Sequence, residues 1–180
     1  MNSSTVASQP AASLSRRFTP GEWMLLGVVA LAFLHHIDHV LRADNSGWPF
    51  TSDLTPFTIS LLVYPIFVLD FLLLRDRPWI RVGLVAILFV ALQVTHAIVE
   101  PPADQYGTWA NRISSVPHAL GQPNLLEVAS PFLGALSVAV SGLLSLAVLL
   151  ALVLALGITL ACLLTAGRVA EVVTDRPFSD

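Results

Sequence analysis

The segment His35-His36-Ile37-Asp38-His39 packs three imidazoles and a carboxylate into little more than one helical turn. His35 and His39 are four residues apart and His36 and His39 three, so each pair shares a helix face. Further on, Gln93, His96 and Glu100 are spaced by three and four and also share a face. Neutral imidazole and carboxylate are the donors that zinc, iron, copper or manganese ions take. HxxxH from one helix and HxxxE from another can supply three or four of them. The candidate metal ligands are therefore His35, His39, His96 and Glu100, with His36 as a substitute. Asp38 or Glu100 is the candidate base. Asp38 could instead fix an imidazole tautomer from outside the ligand set, or pair with Arg42 one turn on. His118, Asp104 and Glu127 could complete or cover the site.

These residues sit in segments too apolar for water. Of the 180 residues, 55% are hydrophobic and only 12% charged, and the mean hydropathy is +0.76. A soluble domain carries roughly 25% charged residues, so this composition suits a surface facing lipid. The expected fold is an all-α integral membrane protein, a bundle of four transmembrane helices in a single domain over 20–170. Spans are expected at about 22–41, 56–74, 79–100 and 139–166, since a crossing needs about 20 apolar residues. Residues 1–19 read as a flexible tail. A signal peptide cleaved near Ala32 is the competing reading, disfavoured because the helical pattern runs on through the histidines. Pro65 is able to kink span two, and Pro101-Pro102 ends span three.

The last apolar run, 131–166, is too long for one upright crossing. It is read as a short helix on the outer surface, about 125–137, followed by span four; one long tilted helix is the alternative. The outer loop is then 101–138. Ser137, Ser141 and Ser145 recur every fourth residue, as do Gly157, Ala161 and Thr165. Both rows are taken as faces for close helix packing.

Orientation follows from the cations, all of which are arginine. Arg16, Arg17, Arg75, Arg77, Arg81, Arg168 and Arg176 fall on one side and Arg42 and Arg112 on the other, which predicts both termini in the cytoplasm, with 171–180 as a second tail. Trp23 and Trp79 at the inner ends, and Trp48 and Trp109 at the outer, agree with interfacial belts. The localisation implied is a cell membrane, taken as the bacterial plasma membrane. The net charge of −3 leaves no basic patch for nucleic acid. The single Cys162 excludes an internal disulfide and a cysteine-based zinc site.

Depth links the two histidine segments. At 1.5 Å per residue, His35 lies about 20 Å and His39 about 25 Å above Glu22, and His96 about 25 Å above Trp79. Two helices thus carry imidazoles at one level, where an ionisable group in a membrane is costly and is a functional candidate. The reading that follows is a metal site near the outer leaflet, in a small metalloenzyme acting on a lipid or other apolar molecule. Two alternatives stand beside it. Haem held by His36 or His39 with His96 would make an electron-transfer protein, similar to four-helix b-type cytochromes. A hydrogen-bonded histidine network in a transport or assembly protein would need neither metal nor haem. Asp70 is expected to pair with Arg75 or Arg77, Tyr64 to approach the histidines as a donor, and Gln93 to bond across helices.

The HHxxH run resembles a histidine box of the membrane di-iron desaturases and hydroxylases. Those enzymes place several such boxes on the cytoplasmic side, whereas this chain has one, on the opposite side, and it is not assigned to them.

Overall fold

A computed structural model describes residues 18–42, 56–74, 76–115 and 119–174. Arg75, Trp48 and His118 lie outside these residues, as do 1–17 and 175–180 of the expected tails; 171–174 of the second tail are helical. The described residues are helical, with no strand among them. Helix α1, Pro20–Leu41, starts on a capping box: the Thr19 hydroxyl accepts from Glu22 N and the Glu22 carboxylate accepts from Thr19 N. Two donors that would otherwise be orphaned are satisfied reciprocally, and Pro20 fits the first turn, where no N–H is needed.

The second apolar segment is two helices, α2 (Pro56–Ser60) and α3 (Val63–Leu73). Pro65 supplies no N–H to the Leu61 carbonyl, which accepts from Tyr64 N at 3.2 Å instead. The turn tightens and the helix breaks at 61–62, as the proline led one to expect. Helix α4, Pro78–Val94, runs on into a π-helical turn, Thr95–Val99. Its last N–H, on Glu100, reaches back five residues to Thr95 O at 3.0 Å; Pro101 and Pro102 have no N–H with which to continue.

The expected outer loop is an ordered cap. Helix α5, Pro102–Ala110, opens it. Asn124, fully buried, then gathers 111–128: its Nδ2 donates to the carbonyls of Thr108, Arg112 and Val128, and its Oδ1 accepts from Val128 N. Leu125 N donates to Leu41 O at 2.8 Å, tying the cap to the end of α1.

The short surface helix expected at about 125–137 is corrected. Residues 125–130 are not helical, and one helix, α6, runs unbroken over Pro131–Thr174. No glycine or proline inside it both occupies a turn conformation and frees a carbonyl, so nothing stops it once Pro131 has started it. At 1.5 Å per residue its 44 residues span about 66 Å, twice the hydrocarbon core of about 30 Å.

Three helices are long and apolar enough to cross a membrane: Pro20–Leu41, Pro78–Val99 and Pro131–Arg168. The fourth segment, Phe57–Leu73, is apolar but shorter. Helices α1, α4 and α5 all pack along α6, whereas α3 leans on α1. The core is made by Leu25, Val28 and Ala32 of α1, Phe67 of α3, Val85 of α4, and Leu144, Val148 and Ala151 of α6. In lipid these contacts act through dispersion and close fit, since tails outside are equally apolar. Past Thr159, α6 extends beyond its neighbours, and Gly157, Ala161 and Thr165 are exposed within the single chain.

Asp70 is buried and paired, but with Arg81 and not with Arg77. The Arg81 guanidinium donates to both carboxylate oxygens, at 2.7–2.9 Å. Asp70 lies one turn before the end of α3 and Arg81 one turn after the start of α4, so their depths match across the turn between them.

Candidate metal centre

Four of the five candidate ligands converge. His35 and His39 come from one face of α1 and His96 from the π turn. His35 Nε2 lies 3.1 Å from His39 Nε2 and 3.1 Å from His96 Nε2. His39 Nε2 is 2.9 Å from Glu100 Oε2. His35, His39 and Glu100 offer ligand atoms that all lie within 4.8 Å of one another, and His96 joins through His35. Tetrahedral bonds of about 2.0–2.1 Å set ligand atoms about 3.3 Å apart, so the spacings among His35, His39 and Glu100 suit a shared ion, and His96 reaches that group only through His35. A π turn widens the helix locally and is frequent at functional sites; here it carries His96, and its end carries Glu100.

The far nitrogen of His35 is also engaged. Its Nδ1 lies 3.1 Å from Ser141 Oγ. The Ser141 hydroxyl has one proton, and Gln105 Oε1 stands 2.8 Å away to accept it. Ser141 is then the acceptor for an Nδ1–H of His35, which leaves the His35 Nε2 lone pair facing the other imidazoles. A ligand imidazole needs this tautomer, and an acceptor behind it holds the ring in place.

Arg42, fully buried, links the two carboxylates of this level. Its Nε donates to Asp38 Oδ2 at 2.7 Å and its Nη1 pairs with Glu100 Oε1. Asp38 also accepts from Trp109 Nε1 at 2.9 Å and from Ser137 Oγ at 2.6 Å. It therefore binds α1, α5 and α6 together and has no imidazole among these partners. Two carboxylates, Asp38 and Glu100, share this guanidinium, and Glu100 Oε2 also faces His39 Nε2.

His36 does not join the cluster. Its Nδ1 is 2.7 Å from Tyr64 Oη and its Nε2 2.9 Å from Ser60 Oγ. Both ring nitrogens are committed, because one residue along a helix turns the side chain by about 100°. The expected approach of Tyr64 to the histidines is thus realised through His36. Asp104 takes a hydrogen bond from Ser115, and Glu127 pairs with Arg112 on the surface; neither covers the cluster. Gln93 Nε2 is buried without a hydrogen-bond partner among the described residues, so the expected bond across helices is not formed. For haem, two axial nitrogens must face each other across about 4 Å at bonds of about 2 Å. His35 stands between His39 and His96, where a macrocycle would have to lie.

Sequence reasoning missed Ser137, Ser141, Gln105 and Trp109 as polar partners of the cluster. The serines carry a signal, because their four-residue spacing puts both hydroxyls on one face, but close packing of small residues accounts for the same spacing.

Below the imidazoles lies a cavity of about 710 Å³ between α1, α3, α4 and α6. The cluster forms one end, and Leu25, Val28, Phe67, Val85, Leu144 and Val148 line much of the rest. Binding cavities for small molecules typically run about 300–1,000 Å³ and are mostly apolar with a few placed polar groups. Comparison with known protein families, with characterised proteins and with solved structures finds no match to this chain.

Proposed function

We propose that this protein is a small membrane metalloenzyme: a divalent transition metal, held by His35, His39, His96 and Glu100, acts at one end of an apolar cavity on a lipid or other apolar molecule. The observation that carries the reading is the convergence of two imidazoles, His35 and His39, and the Glu100 carboxylate within 4.8 Å of one another, with His96 against His35, at the polar end of an apolar cavity. Zinc, iron and copper suit this donor set. The chain crosses the membrane four times with both termini in the cytoplasm, and the cluster lies toward the outer leaflet of a bacterial plasma membrane.

A bound divalent ion supplies Lewis acidity at the cavity end. The chain's own residues do the rest. Ser141 and Gln105 hold His35 in its ligand tautomer. Arg42 holds one oxygen of Glu100 and leaves Oε2 beside His39, so Glu100 is the group placed to take up a proton there. Asp38, engaged by three donors, keeps the cap and α6 seated on α1. The apolar walls exclude water from the site and receive the hydrocarbon part of the substrate.

Metal content per chain, with a visible spectrum, tests the reading on detergent-purified protein. Wild type is expected to hold a stoichiometric ion and to show no Soret band. His35→Ala loses most of the ion, because His35 meets both other ligand imidazoles. His96→Ala lowers it, and His36→Ala, which removes a residue bonded to Tyr64 and Ser60, retains it. Equal content in all four proteins would mean that these histidines are not ligands, and the histidine-network reading would replace this one.

A further inference from the structure

The cavity has a side door. Helices α3 and α4 are tied at the end away from the histidines by the Asp70–Arg81 ion pair. Toward the histidines they separate, α3 leaning on α1 and α4 on α6. On this side the helix break at 61–62 leaves Ile59 and Leu62 both exposed and lining the cavity, and Ala91 and Val99 of α4 and its π turn do the same opposite them. These four rim residues are apolar, and Ser60 between Ile59 and Leu62, also exposed and lining the cavity, commits its hydroxyl to Phe57 O and His36. An opening between two membrane-crossing segments with an apolar rim faces hydrocarbon, not water.

The cavity is also long in one direction. From Leu144 to Ala151 on α6 is seven residues, about 10 Å at 1.5 Å each, and from His35 to Leu25 on α1 is ten residues, about 15 Å. That is the depth of one leaflet, half of a hydrocarbon core of about 30 Å. Leu25, Val85 and Ala151 form the floor, since they also line a second, smaller cavity beyond it.

We infer that the cavity takes the single hydrocarbon chain of an amphiphile, entering sideways from the leaflet on the histidine side between α3 and α4. The chain points toward the floor at Leu25, Val85 and Ala151, and the polar end meets the His/Glu cluster. This rests on the reading of that cluster as the place where a substrate's polar group is held. It adds the substrate class, a long-chain lipid with an oxygen-bearing end such as a fatty acid, and its route. A compact apolar molecule would not need a groove one leaflet deep, and a water-soluble one would not need an apolar door.

The test is photolabelling in phosphatidylcholine nanodiscs with palmitate carrying a diazirine at its terminal carbon, with labelled residues mapped by mass spectrometry. Labelling is expected at Leu25, Val85 or Ala151, and excess unlabelled palmitate should compete it away without reducing labelling of the outward-facing Ile87 or Leu160. Ala91→Trp places an indole in the door. Ala91 is exposed and packs in no core, so the variant should keep the wild-type metal content and lose the floor labelling. Labelling confined to outward-facing residues, or floor labelling that neither palmitate nor Ala91→Trp reduces, would overturn the inference. Should Ala91→Trp fail to fold, competition in wild type decides alone. Metal content is read on the same samples. Competable floor labelling in metal-free wild type would discard the metal and keep the chain cavity; bound metal with no floor labelling would do the reverse.

Discussion

At the scale of single residues, Arg42 governs the electrostatics of the cluster. It is the buried cation that faces both Asp38 and Glu100. Removing one partner of a buried ion pair costs about 3–5 kcal/mol, because the other charge is left without compensation. Arg42→Gln is therefore expected to lower the thermal midpoint in detergent, and added divalent metal should recover part of the loss by neutralising Glu100 and by binding only the folded form. A midpoint equal to wild type would show that the carboxylates do not depend on Arg42. The cluster should also respond to acid. A proton and a metal ion compete for the same imidazole lone pair, so acidification can only weaken binding. Metal retained on dialysis at about pH 7 should be released by about pH 5, below the ordinary imidazole pKa of about 6.5. Retention that rises on acidification would contradict ligation by histidine.

At the scale of elements, the site depends on how closely α5 approaches α6. Gly134 is where they meet: a Cβ there would stand 2.8 Å from Tyr106 O, a backbone atom that cannot swing aside. Alanine is the better helix former by about 1 kcal/mol, but overpacking typically costs about 1–3 kcal/mol, and here the obstacle is the α5 main chain. Gly134→Ala is expected to push α5 outward and loosen Trp109 from Asp38 and Gln105 from Ser141. The measurement is hydrogen exchange of α5 amides in detergent, which should quicken while α4 amides hold. Unchanged exchange in α5 would mean that the helix accommodates the methyl group and that the cap is not seated through this contact.

At the scale of the whole molecule, α6 is the post against which the other long helices stand, and the cap closes one end. Which end faces the cytoplasm is predicted by the arginines: seven on the side of the 75–78 turn and two on the side of the cap. In a Cys162→Ser background, cysteine at exposed Leu120 in the cap should react with a membrane-impermeant maleimide on intact cells, whereas cysteine at Asp76 should react only after permeabilisation. The opposite pattern would invert the molecule and put the cluster in the inner leaflet. Labelling of both positions on one side would remove Pro78–Val99, the segment between them, from the count of crossings.

The sequence by itself determined the helical, lipid-facing character of the chain, because a low charge fraction and long apolar runs leave few other folds open. It also determined the level of the cluster. Helical rise is constant, so residue counts from Glu22 and Trp79 put His35, His39 and His96 at similar heights whatever the packing. The break at Pro65 was legible too, since a missing N–H acts locally. Other features depended on neighbours distant in sequence. The 44-residue α6 carries no internal stop signal, and its first turns stand upright only because α5 packs on them. His36 is a substitute ligand by spacing, and Ser60 of α2 and Tyr64 of α3 take it out of the cluster. The serines at 137 and 141 look like packing residues until Asp38 and His35 stand opposite. The cavity and its door exist only because α3 and α4 lean on different partners. Periodicity fixes which face a side chain occupies, and tertiary contact alone decides what stands against that face.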